Sequence, residues 1–270
     1  MNPIPLHPGI IYGPVRSRRL GASLGLNILP VNYKLCSFDC IYCQCGWTAV
    51  CTIDPVDRLA DFPAPENFGE ALKSTLREQK EIDNITFSGN GEPTLHPRFE
   101  ELVDIAKQLK EEHFPEAKLG VLSNSSTVSY ENVPRALAKL DFRIMKLEAG
   151  SPETFRKINR PHKGIDYGAI LSGLKSLDEV TLQTMFVDGS TSNTSNREVR
   201  EWMERVGEIK PMNAQIYSLH RPPADSSLRE VSAERLREIA AQTEAATGIA
   251  IEVVVATFSY RRRTQPPKQE

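Results

Sequence analysis

Cys36, Cys40, Cys43, Cys45 and Cys51 are the only cysteines of a 270-residue chain, and all fall in one short stretch. Thiols packed so closely along the chain suit a metal better than disulfides, which need specific Cα separations and directions. The segment CSFDCIYC places three and then two residues between successive thiols. Three soft ligands on one loop fit an iron-sulfur cluster or zinc. A zinc site completed by Cys45 or Cys51 would make this a noncatalytic zinc-binding protein that meets an anionic partner. A cubane held by Cys36, Cys40 and Cys43 alone would instead leave one iron without a protein ligand, open to a chelating substrate.

Other residues that can do chemistry lie at the ends of apolar runs. The string NITFSGNGEPTLHP carries Gly89 and Gly91, which let the backbone turn tightly and approach a neighbour closely, and Pro93, which stiffens the exit. Ser123 and Asn124 end the next run. Lys146 and Glu148 follow near the end of another, where strand alternation puts both on one face. Gln183 is a polar residue inside an apolar run. Arg16, Arg18 and Arg19 precede the first run, and His220 and Arg221 follow the sixth. If both segments cap the same mouth, they form a rim for phosphate or carboxylate. His7, His96, His113 and His162 have no partner pattern and read as surface or structural residues, and Arg261, Arg262 and Arg263 read as a solvated tail.

The elements that must position these residues alternate. Strand-length apolar runs occupy 84–89, 118–124, 142–150, 180–189, 213–219 and 251–258, with a weaker one at 24–30. Between them lie helical patterns such as Phe68, Ala71, Leu72, Thr75 and Leu76, or Phe99, Leu102, Val103, Ala106 and Leu109. Later helices carry start signals at Ser151-Pro152, Asn196 and Ser232, and Gly248 closes the last. Strands joined through helices run parallel, so the fold class is α/β, with function gathered at the carboxyl ends of the strands. A net charge of -2 excludes a global basic field. No apolar run reaches the roughly 18 residues of a membrane span, and the proline-interrupted start does not read as a secretory signal. The expectation is a cytoplasmic protein with no membrane partner.

The cysteine spacing, with Tyr42 just before the third cysteine, resembles the signature of the radical S-adenosylmethionine superfamily. SGNGEP resembles that family's glycine-glycine-glutamate motif. The resemblance implies a partial (β/α)6 barrel of the triose-phosphate-isomerase type over residues 24–260, after a short N-terminal extension (1–23) and before a basic tail (261–270). It also implies a 4Fe-4S cluster on Cys36, Cys40 and Cys43, and S-adenosylmethionine held by Tyr42, Gly89, Asn90, Gly91, Glu92, Ser123, Asn124, Lys146, Glu148 and Gln183. In such enzymes an electron, supplied by a donor such as flavodoxin or ferredoxin, cleaves S-adenosylmethionine to a 5'-deoxyadenosyl radical that takes hydrogen from substrate. An RNA base, a peptide or an anionic metabolite would be the substrate, Arg16, Arg18, Arg19, His220 and Arg221 its anchors. GPVRSRRLGASLGLNILP with CSFDCIYCQCG resembles the single-domain branch related to tRNA wyosine-forming enzymes. Those carry further cysteines upstream for a second cluster, whereas none precedes Cys36 here.

Overall fold

The computed structural model describes residues 4–17 and 21–255. Its centre is one eight-stranded sheet in which every strand lies beside its successor in the chain. Strand β1 (Ile11–Ser17) runs antiparallel to β2 (Gly21–Leu26). Then β3 (Asn84–Phe87), β4 (Lys118–Ser123), β5 (Phe142–Lys146), β6 (Val180–Met185), β7 (Asn213–Tyr217) and β8 (Ile251–Val254) follow, each parallel to its neighbour. The helices are α1 (Pro65–Glu78), α2 (Phe99–His113), α3 (Asn132–Ala138), α4 (Pro152–Asn159), α5 (Tyr167–Ser176), α6 (Asn196–Ile209) and α7 (Ala233–Thr247). Six crossovers join seven parallel strands. Among the described residues β1 and β8 do not pair, so the sheet is an open, partial barrel.

All seven apolar runs became strands of this sheet; most alternate an apolar face toward the helices with a more polar one away from them, whereas β5 turns Arg143 to the carbonyls of Leu137 and Leu140 and carries Ile144 on the face of Lys146. Leu24 and Leu26, Ile85 and Phe87, Leu119 and Val121, and Ala214 and Ile216 are fully buried on the helix side. There Phe87 stacks on Phe68 of α1 at 6.2 Å and meets Phe99 of α2 edge-on at 5.4 Å. Ser151, Ser195 and Ser232 accept hydrogen bonds from backbone N–H groups of the first turns of α4, α6 and α7, and Gly248 ends α7 at φ +72°. The α6 cap is therefore Ser195, one residue before Asn196. The 180–189 run breaks at Phe186, and Val187–Gly189 pairs instead with Leu228–Glu230. Residues 11–17, expected in an extension outside the barrel, form an edge strand of the sheet.

The opposite face of β5 to β8 lacks the branched apolar layers that fill a closed barrel. Lys146 pairs in register with Gln183, Gln183 with Gln215, and Gln215 with Glu252, which sets four polar side chains at one level across four strands.

Candidate functional site at the carboxyl end of the sheet

The cysteine loop leaves the carboxyl end of β2 and is tied down on two sides. On one, Leu35 N–H donates to Asn90 O at 3.2 Å, and Glu92 N–H donates to Leu35 O at 3.3 Å. On the other, Ile41 N–H donates to Ile158 O, and Asp39 N–H to the carbonyls of Asn159 and Arg160, all within 3.1 Å. The last turn of α4 thus offers its orphan carbonyls to the loop. Cys36 and Cys40 are buried, and Cys43 half-buried.

Each of the three thiols has a donor. Asn124 Nδ2 lies 3.4 Å from Cys36 Sγ, and Asn159 Nδ2 lies 3.4 Å from Cys40 Sγ. Cys43 accepts from Cys45 and from the buried Lys34, and these outweigh burial to hold its thiol below the ordinary range, while Cys45 is pushed up. Burial pushes Cys36 up to about 12 and Cys40 higher still, against the pull of Lys34 and of Asn159 respectively. A bound metal would reverse that, since ligation deprotonates a thiol. Cys51 pairs in register with Cys36 on a two-residue ladder and donates to Ser37 O at 3.6 Å. Among the described residues no three His, Cys, Asp or Glu side chains are placed to hold a single metal ion.

The glycine loop is shaped by its own chain. A Cβ on Gly91, at φ +153°, would lie 1.7 Å from Leu35 O, and one on Gly89, at φ +128°, 2.6 Å from Asn27 Oδ1. The close approach that needs glycine at Gly91 is therefore to the cysteine loop. Asn90 is fully buried; its amide nitrogen donates to His7 O and Pro30 O, and its oxygen accepts from His7 N–H. Both of its amide hydrogens thus bind the scaffold and fix the shape of the loop. Glu92 is buried and accepts from Thr94 N–H and hydroxyl and, at 2.5 Å, from Asn124 N–H. Burial pushes its carboxyl up, against those bonds. Ser123 accepts from Ser125 N–H, and Asn124 bonds Ser37 and Ser126 besides Cys36. Asn124 thus ties the end of its strand to the cysteine loop.

Lys146 and Glu148 do share a face, as an ion pair of 2.9 Å. Lys146 Nζ also donates to Tyr217 Oη at 2.8 Å and lies 5.0 Å from the Tyr42 ring centre and 5.1 Å from that of Tyr217. Burial alone would lower the ammonium, and the neighbouring Glu148 overrides it, so Lys146 is held above its ordinary range. Glu148 Oε2 accepts from Asn159 Nδ2 at 3.2 Å, while Asn159 Oδ1 is buried with no partner. Gln183 accepts from Tyr217 and donates to Gln215, which donates to Glu252. Tyr217 and Gln215 escaped the sequence reading, although NAQIYSL shows the same two-residue alternation as Lys146 and Glu148. Asn159 and Lys34 left no sequence signal, because only the packing of α4 and the loop brings them to the thiols.

Of the expected rim, the described members lie at opposite ends of the sheet. Arg16 pairs with Ala22, at the amino end of β2, whereas the cysteine loop leaves its carboxyl end. Five residue steps of strand separate those ends, about 16 Å. His220 and Arg221 follow β7 on the cysteine side, where His220 pairs with Glu230 at 3.7 Å and Arg221 is exposed. Arg18, Arg19 and Arg261 to Arg263 lie outside the described residues.

The Radical SAM superfamily profile matches residues 33–210, from just before the first cysteine through α6. The chain belongs to the radical SAM superfamily. Among curated relatives, UPF0026 proteins of Methanocaldococcus jannaschii and of Synechocystis are 30% and 32% identical, over 86% and 78% of this chain and 70% and 76% of theirs. A Brachyspira hyodysenteriae protein named GTPase Obg is 30% identical over 96% of this chain, which spans only 37% of that protein. Radical SAM folds are also what the solved structures show. A radical SAM methyltransferase from Sphaerobacter thermophilus superposes with a TM-score of 0.63 at 14% identity, covering 88% of this chain and 67% of that one. TYW1 with a bound lysine-pyruvate adduct gives 0.58 at 16% identity, covering 83% and 74%. As a member of the superfamily the chain is an enzyme of S-adenosylmethionine-dependent radical chemistry. No helix among the described residues is long and apolar enough to cross a membrane.

Proposed function

We propose that Cys36, Cys40 and Cys43 ligate a 4Fe-4S cluster and that S-adenosylmethionine binds beside it, between the glycine loop and the Lys146–Glu148 pair. The observation that carries this reading is the donor set: three thiols on one loop, each with its own hydrogen-bond donor. A buried polar atom without a partner, Asn159 Oδ1, fits a site completed by a polar ligand. When bound, the cluster supplies the electron that cleaves S-adenosylmethionine and so starts hydrogen abstraction from substrate. The chain's own part is to hold and orient. Glu92 and the Gly89–Gly91 backbone fix the loop, the Lys146 ammonium offers charge to a carboxylate, and Tyr42 shields the space between Lys146 and the thiols. A low-potential carrier such as flavodoxin or ferredoxin supplies the electron.

The substrate is an RNA base, a peptide or an anionic metabolite, and the polar row Gln183, Gln215 and Glu252 supports one that exchanges hydrogen bonds along the inner face. A deuterium-transfer survey tests this. Candidates deuterated at their carbon positions are incubated with reduced enzyme, and the true substrate passes label into 5'-deoxyadenosine. Label transfer from a purely hydrocarbon compound, and from none of these polar classes, would overturn the assignment of the inner face.

A further inference from the structure

We propose that Asn159 is a positioning residue that sets the reduction potential of the cluster through its bond to Cys40, an inference that rests on cluster ligation by Cys36, Cys40 and Cys43. Its amide nitrogen has two hydrogens and two acceptors: Cys40 Sγ at 3.4 Å and Glu148 Oε2 at 3.2 Å. The side chain is 1% exposed, and its oxygen meets no donor. A residue needed only to fill this space would serve better as leucine, because an orphaned amide oxygen in the interior is destabilising. Asn124 makes the same bond to Cys36 but satisfies its oxygen with Ser126 N–H and its second hydrogen with Ser37, which marks it as a clamp on the loop. Asn159 instead joins a cluster thiol to the one carboxylate that is paired with Lys146.

The electrostatic consequence follows from charge. One-electron reduction adds negative charge that spreads onto the ligating sulfurs, so an N–H aimed at a sulfur stabilises the reduced state more than the oxidised one. Removing that donor makes reduction harder. The nearby Glu148 carboxylate adds to the effect, since without the amide between them it faces Cys40 unscreened.

The test is a potentiometric titration of the anaerobically reconstituted protein, followed by electron paramagnetic resonance, in wild type, Asn159→Leu and Asn159→Asp. Asn159→Leu keeps the wild-type iron content and lowers the equilibrium constant for reduction about tenfold, a midpoint more negative by about 59 mV for one electron. Asn159→Asp, which puts oxygens beside Glu148 where the amide donor was, moves it in the same direction. A full iron load with an unmoved midpoint in both variants would overturn the proposal. Loss of iron from both would also overturn it, by showing that Asn159 only holds the loop. A wild-type protein that takes up no cluster would instead remove the ligation reading beneath it.

Discussion

Replacing Gly91 by Ala should unfold the cysteine loop from the sheet before it affects any ligand. The added Cβ would sit 1.7 Å from Leu35 O and 2.6 Å from Leu35 C. Nonbonded atoms rest at roughly 3.5 Å, so the carbonyl must retreat by about 1.8 Å. That retreat breaks Leu35 N–H to Asn90 O and Glu92 N–H to Leu35 O, and drags the adjoining Cys36. Two backbone bonds at about 1 kcal/mol each, plus overpacking of at least about 1 kcal/mol, give a loss of about 3 kcal/mol. In a chain of this size each kcal/mol lowers the melting temperature by roughly 2–4 °C, so calorimetry of the apoprotein should show a fall of roughly 6–12 °C. Gly248→Ala is the control, because its Cβ would meet nothing within 4 Å and only φ +72° is strained. It should cost about 1 kcal/mol. An apoprotein Gly91→Ala no less stable than Gly248→Ala would refute the claim that Gly91 is required by the cysteine loop.

Three further outcomes follow from the same geometry. Ala at Cys36, Cys40 or Cys43 should each abolish iron uptake on reconstitution, while Ala at Cys45 or Cys51 should leave it; equal iron loss at Cys45 would point to a four-thiolate site. Lys146→Met strands the buried Glu148 carboxylate and should destabilise the apoprotein by about 3 kcal/mol in urea unfolding near neutral pH, a result that an unchanged midpoint would contradict. His96 is held neutral by burial, its pKa lowered from 6.5 to about 4, against a bond to Pro63. Between those values the unfolded chain binds a proton that the folded chain does not, so stability falls as pH drops from about 6.5 to about 4, by about 3 kcal/mol in all. His96→Asn should flatten that part of the stability curve, and an unaltered slope would assign the acid sensitivity elsewhere.

Strands and helices were readable because their periodicities differ and because serine and glycine mark helix ends by local bonding, as at Ser151, Ser232 and Gly248. The cysteine triplet was readable because its function lies in spacing along one loop. What stayed hidden depends on register and packing. Residues 11–17 carry no sign that they return antiparallel to β2, and that return is what puts Arg16 at the far end of the sheet from the thiols. Asn90 and Asn124 look like free polar groups in the sequence, yet their amides are engaged by His7 and by the cysteine loop, whose distance in the chain no local pattern records. Gln215 and Glu252 join Gln183 only once the strands are aligned.

Anaerobic reconstitution with iron and sulfide, followed by reduction in the presence of S-adenosylmethionine, tests the account most directly. It predicts a brown protein with about four irons per chain that releases methionine and 5'-deoxyadenosine, both abolished by Cys40→Ala. A colourless protein that retains one zinc per chain and releases no 5'-deoxyadenosine would contradict it.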